Sequence, residues 1–182
     1  MPSDTWEIDP ENSTLWLRVS HFGVSQVRGT FRRWGGRIVV PDGALSDATV
    51  EIEVDAASID TGDEERDALV RSESFLEVER YPTISFFGDQ VRAIDSHHIR
   101  VGGLLTMHGT TRPIAVDVTY RGDVFDADGS QRMGFEASAR ASRKEYGLTW
   151  EPMLESAAGV FVGEFIELTF DVKAVRQADT TG

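Results

Sequence analysis

Apolar and polar positions alternate along most of this chain with a period of two. Leu15, Leu17 and Val19 alternate with Trp16, Arg18 and Ser20, and Val50, Ile52 and Val54 with Glu51 and Glu53. Ile114, Val116, Val118 and Tyr120 alternate with Ala115, Asp117 and Thr119, and Ile166, Leu168, Phe170 and Val172 with Glu167, Thr169 and Asp171. Successive side chains on a strand point to opposite faces, so each run presents one apolar and one polar face. Residues that preset turn dihedrals separate the runs, as in Pro41-Asp42-Gly43 and Asp126-Ala127-Asp128-Gly129. The pattern predicts eight strands, over 13–22, 25–40, 48–55, 83–93, 97–107, 112–122, 131–141 and 163–174.

The alternation stops between 55 and 80. Thr61 and Glu64 stand at capping-box spacing, and Ala68, Leu69, Phe75 and Leu76 supply an apolar face. This predicts one short α-helix in the 61–78 connection, ended by Tyr81-Pro82. Eight antiparallel strands in an open sheet leave two unpaired edges, and closure removes them. The expected fold is therefore all-β, an eight-stranded antiparallel closed barrel in one domain over 1–176, with a flexible polar tail over 177–182.

An eight-stranded barrel is either filled by its own side chains or holds one small ligand. Ten phenylalanines and four tryptophans exceed what one inward face needs, and Met153, Leu154, Val160, Phe161 and Val162 are apolar in a stretch that reads as loop. Both readings of the interior stay open on pattern alone. If a cavity exists, the residues expected to line it are Phe31, Phe75, Phe86, Leu104, Met107, Phe135, Tyr146, Met153, Leu154 and Phe161.

Charge and missing chemistry narrow the function. The formal net charge is −13, which repels phosphate backbones and anionic head groups and argues against nucleic-acid partners. No apolar run approaches the roughly 18 residues of a membrane span, so stable membrane insertion is not expected. The first residues carry neither a basic segment nor an apolar one, which gives a cytoplasmic expectation. There is no cysteine, so disulfides and thiolate chemistry are excluded. His97 and His98 are adjacent and would face opposite ways on a strand, and no H-x-H or H-x-x-x-H spacing occurs. No G-x-S-x-G elbow or glycine-rich phosphate loop is present. No metal, cofactor or catalytic residue is assigned.

Ordered along the chain are Trp6-Glu7-Ile8-Asp9, His21-Phe22-Gly23-Val24, Gly29-Thr30-Phe31, Ala57-Ser58-Ile59-Asp60-Thr61, Arg66-Asp67, Phe75, Tyr81-Pro82 and Ile84-Ser85-Phe86. Gly103-Leu104-Leu105-Thr106-Met107-His108-Gly109, Arg112-Pro113 and Ser142-Arg143-Lys144-Glu145-Tyr146-Gly147-Leu148 follow. In this order and spacing the chain resembles the YceI-like family of polyisoprenoid-binding proteins from Trp6 to about Ala174. It departs from the family at Ala68, where a histidine is common, at Ser142 for asparagine and at Tyr146 for phenylalanine. Many members are exported.

The resemblance implies a lipocalin-like barrel around a long apolar tunnel, and an isoprenoid-tailed ligand such as a polyprenyl phosphate or a quinone. His21, Arg66 and Arg143 are the candidate contacts to a head group or rim, arginine being suited to bind phosphate bidentately. The alternative roles are a hydrogen-bonded His21 bracing the rim and an Arg143 pair with an acid such as Asp67. Three functions remain in view: a non-enzymatic carrier or buffer of the lipid, an enzyme acting on its head group through His21 and Arg143, and a filled barrel serving as a protein-interaction module. A homodimer is also considered, with an exposed Trp34 at the contact.

Overall fold

The computed structural model describes residues 3–21, 25–149 and 162–178. Among these, the strand segments are β1 (Ser3–Ile8), β2 (Thr14–His21), β3 (Ser25–Phe31), β4 (Trp34–Pro41), β5 (Thr49–Asp55), β6 (Ile59–Asp60), β7 (Thr83–Ala93), β8 (His98–Met107), β9 (Thr110–Phe125), β10 (Gln131–Ser142) and β11 (Val162–Arg176). One helix, α1 (Glu64–Arg71), lies between β6 and β7, and short 3-10 turns cover Leu45–Asp47, Ala56–Ser58 and Arg143–Tyr146.

Eleven segments make only eight positions around the barrel. β1 and β2 both run antiparallel to the same side of β11, at Ile8↔Ala174 and Thr14↔Asp171, and are two halves of one interrupted strand. β3 and β4 face them as a second interrupted strand, at Trp16↔Thr30 and Trp6↔Ile38. β5 and β6 face these as a third, at Trp34↔Val54 and Thr30↔Asp60. β7, β8, β9, β10 and β11 follow in chain order, each paired antiparallel with its neighbour. The pairing of β11 with β1 and β2 closes the ring, which is the up-and-down eight-stranded barrel that the alternation predicts.

The interruptions have local causes. At Asp9 the carboxylate accepts from the Asn12 amide, from Arg132 and from the Glu11 N–H, which turns the chain; the Asn12 and Arg132 bonds foremost hold its pKa below the usual carboxylate range. At Ala56–Ser58 the Asp55 side chain accepts from the Ala57 N–H, while the Ser58 hydroxyl donates to the Asp55 carbonyl at 2.6 Å. Between β3 and β4, Arg32 and Arg33 are both exposed, so the extra residue turns both Phe31 and Trp34 inward. Trp34 is thus buried, edge-to-face with Phe170 at 5.6 Å, and is not the exposed dimer contact expected from sequence. The segment Ser3–Ile8 also forms strand where none was predicted, because it completes the ring beside β4 and β11.

The ends of the barrel differ. One carries the β2–β3 turn, α1, the β8–β9 turn and the β10–β11 connection; the other carries the Leu45–Asp47 turn and the β7–β8 and β9–β10 turns. α1 is capped by Asp63, whose carboxylate accepts from the Glu65 and Arg66 N–H groups, and not by Thr61. The Thr61 hydroxyl and N–H donate instead to the buried Asp67 carboxylate, at 2.6 Å and 3.0 Å. Arg71 donates to the Ala57 and Ile59 carbonyls, both at 2.8 Å, which fastens the helix over the barrel end.

Candidate functional site: a two-lobed apolar cavity

The inward side chains do not fill the barrel. A cavity of about 140 Å³ lies toward the α1 end, walled by residues of β2, β5, β7, β8 and β11 together with Leu69, Val70, Phe75 and Leu76 from the helical connection. A second, also about 140 Å³, lies toward the other end, among Ile8, Ile38, Leu45, Val50, Val101, Val116 and Phe135. Ile52, Phe86, Leu105, Leu168 and Phe170 belong to both walls and stand as a waist between the two lobes. A dry apolar cavity of roughly 150 Å³ takes a benzene-sized molecule, so each lobe matches a slim hydrocarbon segment.

Polarity is confined to one lobe. Thr61, Arg66, Ser85 and Arg143 stand on the wall of the α1 lobe, while every residue on the wall of the other is apolar. Arg66 Nε donates to the Thr61 hydroxyl at 2.8 Å and a terminal nitrogen donates to the Thr61 carbonyl at 2.9 Å; among the described residues it has no ion pair. The Thr61 hydroxyl in turn donates a hydrogen bond to the Asp67 carboxylate, so the three side chains fix one another. Arg143 is buried and donates to the Leu148 carbonyl at 2.7 Å and the Gly163 carbonyl at 2.9 Å. Asp67 is therefore engaged with Thr61, and the Arg143 guanidinium holds the chain on both sides of the β10–β11 connection.

A second polar group braces the same end from outside the cavity. His108 Nδ1 lies 3.1 Å from the Tyr146 carbonyl, its Nε2 lies 3.4 Å from a Glu77 carboxylate oxygen, and its ring meets Tyr81 edge-on at 5.0 Å. The α1–β7 and β10–β11 connections thus meet on one side chain of the β8–β9 turn. His97 and His98 sit at the opposite end, where Asp95 accepts from the His97 and His98 N–H groups and from the His98 ring. These bonds lower the Asp95 pKa to about 2.

The structure places the sequence candidates as follows. Phe31, Phe75 and Met107 stand on the wall of the α1 lobe, Phe135 on that of the other lobe, and Phe86 at the waist. Leu104 does not face the interior: it is 51 % exposed on the outer wall. Residues three apart on a strand point to opposite faces, so Leu104 and Met107 cannot both point in, and Leu105 takes the inner position. Tyr146 is fully buried within the Arg143–Tyr146 turn but touches neither lobe; burial raises its phenol pKa, with Glu145 adding to the effect. Met153, Leu154, Phe161 and the His21 side chain lie outside the described residues. Leu15, Leu17, Val19, Ile166, Leu168 and Phe170 were not singled out, yet they line the cavity. Their signal was the alternation itself, which reads equally as core.

A closed eight-stranded antiparallel barrel with an apolar interior and polar groups at one end defines a lipocalin-like architecture. Residues 6–174 match the model of the YceI-like domain, and the chain belongs to this family. It is 30 % identical over 137 residues to a UPF0312 protein of Vibrio cholerae, covering 75 % of this chain and 72 % of that one. It is 31 % identical over 143 residues to a UPF0312 protein of Pseudomonas savastanoi pv. phaseolicola, covering 78 % and 74 %. Among solved structures, Burkholderia cenocepacia BcnA superposes with a TM-score of 0.77 at 16 % identity, covering 94 % of this chain and 99 % of that one. A polyisoprenoid binding domain from Saccharophagus degradans, described as implicated in plant cell wall breakdown, superposes with a TM-score of 0.72 at 14 % identity, covering 93 % and 97 %. Among the described residues no helix is long and apolar enough to cross a membrane.

Proposed function

We propose that this chain binds an elongated isoprenoid-type lipid inside the barrel and carries or buffers it. The observation that carries the reading is the polarity of the interior: two apolar lobes in line, with Arg66 and Arg143 only at the α1 end. A slim hydrocarbon tail suits the waist and the far lobe, and a polyprenyl phosphate or a quinone-like head group suits the arginine end. Arg66 meets the requirement for an anionic head, being a cavity-wall cation with no ion pair among the described residues. Burial of tail surface supplies the driving force, about 25 cal/mol per Å² before ordering costs, so tight binding does not require a strong polar contact. Membership of the YceI-like family and the likeness to the polyisoprenoid binding domain of Saccharophagus degradans support binding over catalysis.

The test is native mass spectrometry of the purified protein, followed by organic extraction and by titration with geranylgeraniol and geranylgeranyl monophosphate. Extraction of an isoprenoid in stoichiometric amount, or saturable binding of either probe, is the expected result. A bare protein mass together with no binding of either probe overturns the reading.

A further inference from the structure

The barrel wall has a place where a strand is missing its neighbour. β5 pairs with β7 from Asp55↔Thr83 to Val50↔Gly88 and goes no further. β7 continues beyond this point, paired with β8 alone from Gln90↔Gly102 to Ala93↔Ile99. The chain that would extend β5 alongside it is instead folded into the 3-10 turn Leu45–Asp47, which packs against β7 and β4.

This turn is attached lightly. Its backbone bonds are local, from Ala44 to Pro41, from Asp47 to Ala44 and from Ala48 to Leu45. Among the described residues no hydrogen bond or ion pair joins residues 42–47 to β7. What holds it down is Leu45, which lines the far lobe yet is 40 % exposed, so one side chain faces both the cavity and solvent. Asp42 and Gly43, with φ of 50° and 71°, form a sharp left-handed corner just before the turn. The opposite end of the barrel is fastened by directed polar contacts from Arg71, Arg143, Asp67 and His108. Among the described residues, the Leu45 turn is therefore a connection that opens without breaking a buried hydrogen bond to the barrel.

We propose that the Leu45–Asp47 turn is the gate through which an apolar ligand enters and leaves the barrel, hinged at Asp42-Gly43 and held shut by the Leu45 side chain. The proposal rests on the ligand reading above. With the gate at the all-apolar lobe, the tail leads on exit and the head group goes first on entry, a passage that an uncharged head group makes at far lower cost than a phosphate.

The experiment is stopped-flow exchange of a pyrene-labelled geranylgeraniol. Leu45→Ala is expected to raise the association rate constant about tenfold, the scale set by removing one partly buried leucine. Loss of a wall contact alone would speed dissociation and leave association unchanged. The chain has no cysteine, so Ser46→Cys and Asp89→Cys, both exposed and neither on a lobe wall, can be joined by a flexible bismaleimide. This cross-link is expected to slow exchange in both directions by at least about tenfold, with the equilibrium constant held. The singly substituted chains serve as folded controls. Binding that persists with unchanged rates after cross-linking overturns the gate and leaves the ligand reading intact. Failure of the unaltered chain to bind the probe overturns both.

Discussion

Gly35 and Gly36 are neighbours in sequence and on the same strand, yet alanine at the two sites should move stability in opposite directions. A Cβ at Gly36 would stand 2.1 Å from the Glu51 carbonyl oxygen and 2.9 Å from the Ile52 side chain, whereas one at Gly35 meets nothing within 4 Å. The clash is with backbone across the β4–β5 ladder, so no rotamer relieves it; the strands must part by roughly 1 Å, beyond the tight range of N–H···O geometry. Two ladder hydrogen bonds flank the site, and each contributes about 0.5–1.5 kcal/mol. Against this stands a gain of about 0.4–1 kcal/mol from the reduced freedom of the unfolded chain. Gly36→Ala is then expected to destabilise by about 1–2 kcal/mol, and Gly35→Ala to stabilise by about 0.5 kcal/mol. Urea unfolding followed by tryptophan fluorescence measures both, with an unchanged slope confirming that only stability moved. A Gly36→Ala protein as stable as the Gly35→Ala protein would refute the close approach on which the argument depends.

Further expectations follow from the site and its surroundings. Arg143→Ala should cost about 2–4 kcal/mol, because two carbonyls in a buried setting lose their donor; Arg143→Lys should also destabilise in the same unfolding assay, since one ammonium does not reproduce the guanidinium fork. In a titration with labelled geranylgeraniol, Leu105→Trp at the waist should weaken binding at least about tenfold while Leu104→Trp on the outer wall leaves it within about twofold. The Tyr120 hydroxyl donates to Asp123, and this bond raises the phenol from its ordinary 10 to about 12. A folded pKa above the unfolded one means the contribution is complete below pH 10 and lost as pH rises toward 12. Asp123→Asn should bring the Tyr120 pKa back toward 10, as read by NMR of labelled tyrosine, and remove that part of the alkaline loss of stability.

Most of the barrel was legible because its strands alternate cleanly and are bounded by turn residues. What escaped depended on partners distant in sequence. Trp6 and Ile8 alternate with Glu7, but six residues before Asp9-Pro10 carry little signal until β4 and β11 are known to flank them. Trp34 looked like a surface aromatic because the alternation slips by one residue at Arg32-Arg33. Leu104 does not line the interior because it shares the outward face with polar Thr106, two residues on; with Gly102 and Gly103 carrying no side chain before it, that one threonine is the only polar mark of the phase in this stretch. At the helix, Thr61 fits a cap by spacing, but Asp63 lies two residues closer, directly before Glu64, and its Oδ1 accepts from the Glu65 and Arg66 N–H groups, while Thr61 is taken up by Asp67. Whether the interior was filled or hollow could not be read from pattern, since a wall residue and a core residue have the same period; the distinction depends on how far opposite walls stand apart.

The ring is sealed by residues at opposite ends of the chain, Trp6 against Arg176 and Leu17 against Leu168. Synthesis proceeds from one to the other, so the seven earlier positions of the barrel are made while the eighth is still missing. Until β11 arrives, β10 and the β1–β2 strand each present an unpaired edge and the apolar interior is open along its whole length. Contacts of this sequence separation make folding slow, and a chain still lacking β11 exposes apolar surface and strand edges of the kind that favour aggregation. The seal therefore cannot form before the last of the eight positions has been made, and until then the apolar interior has no eighth wall.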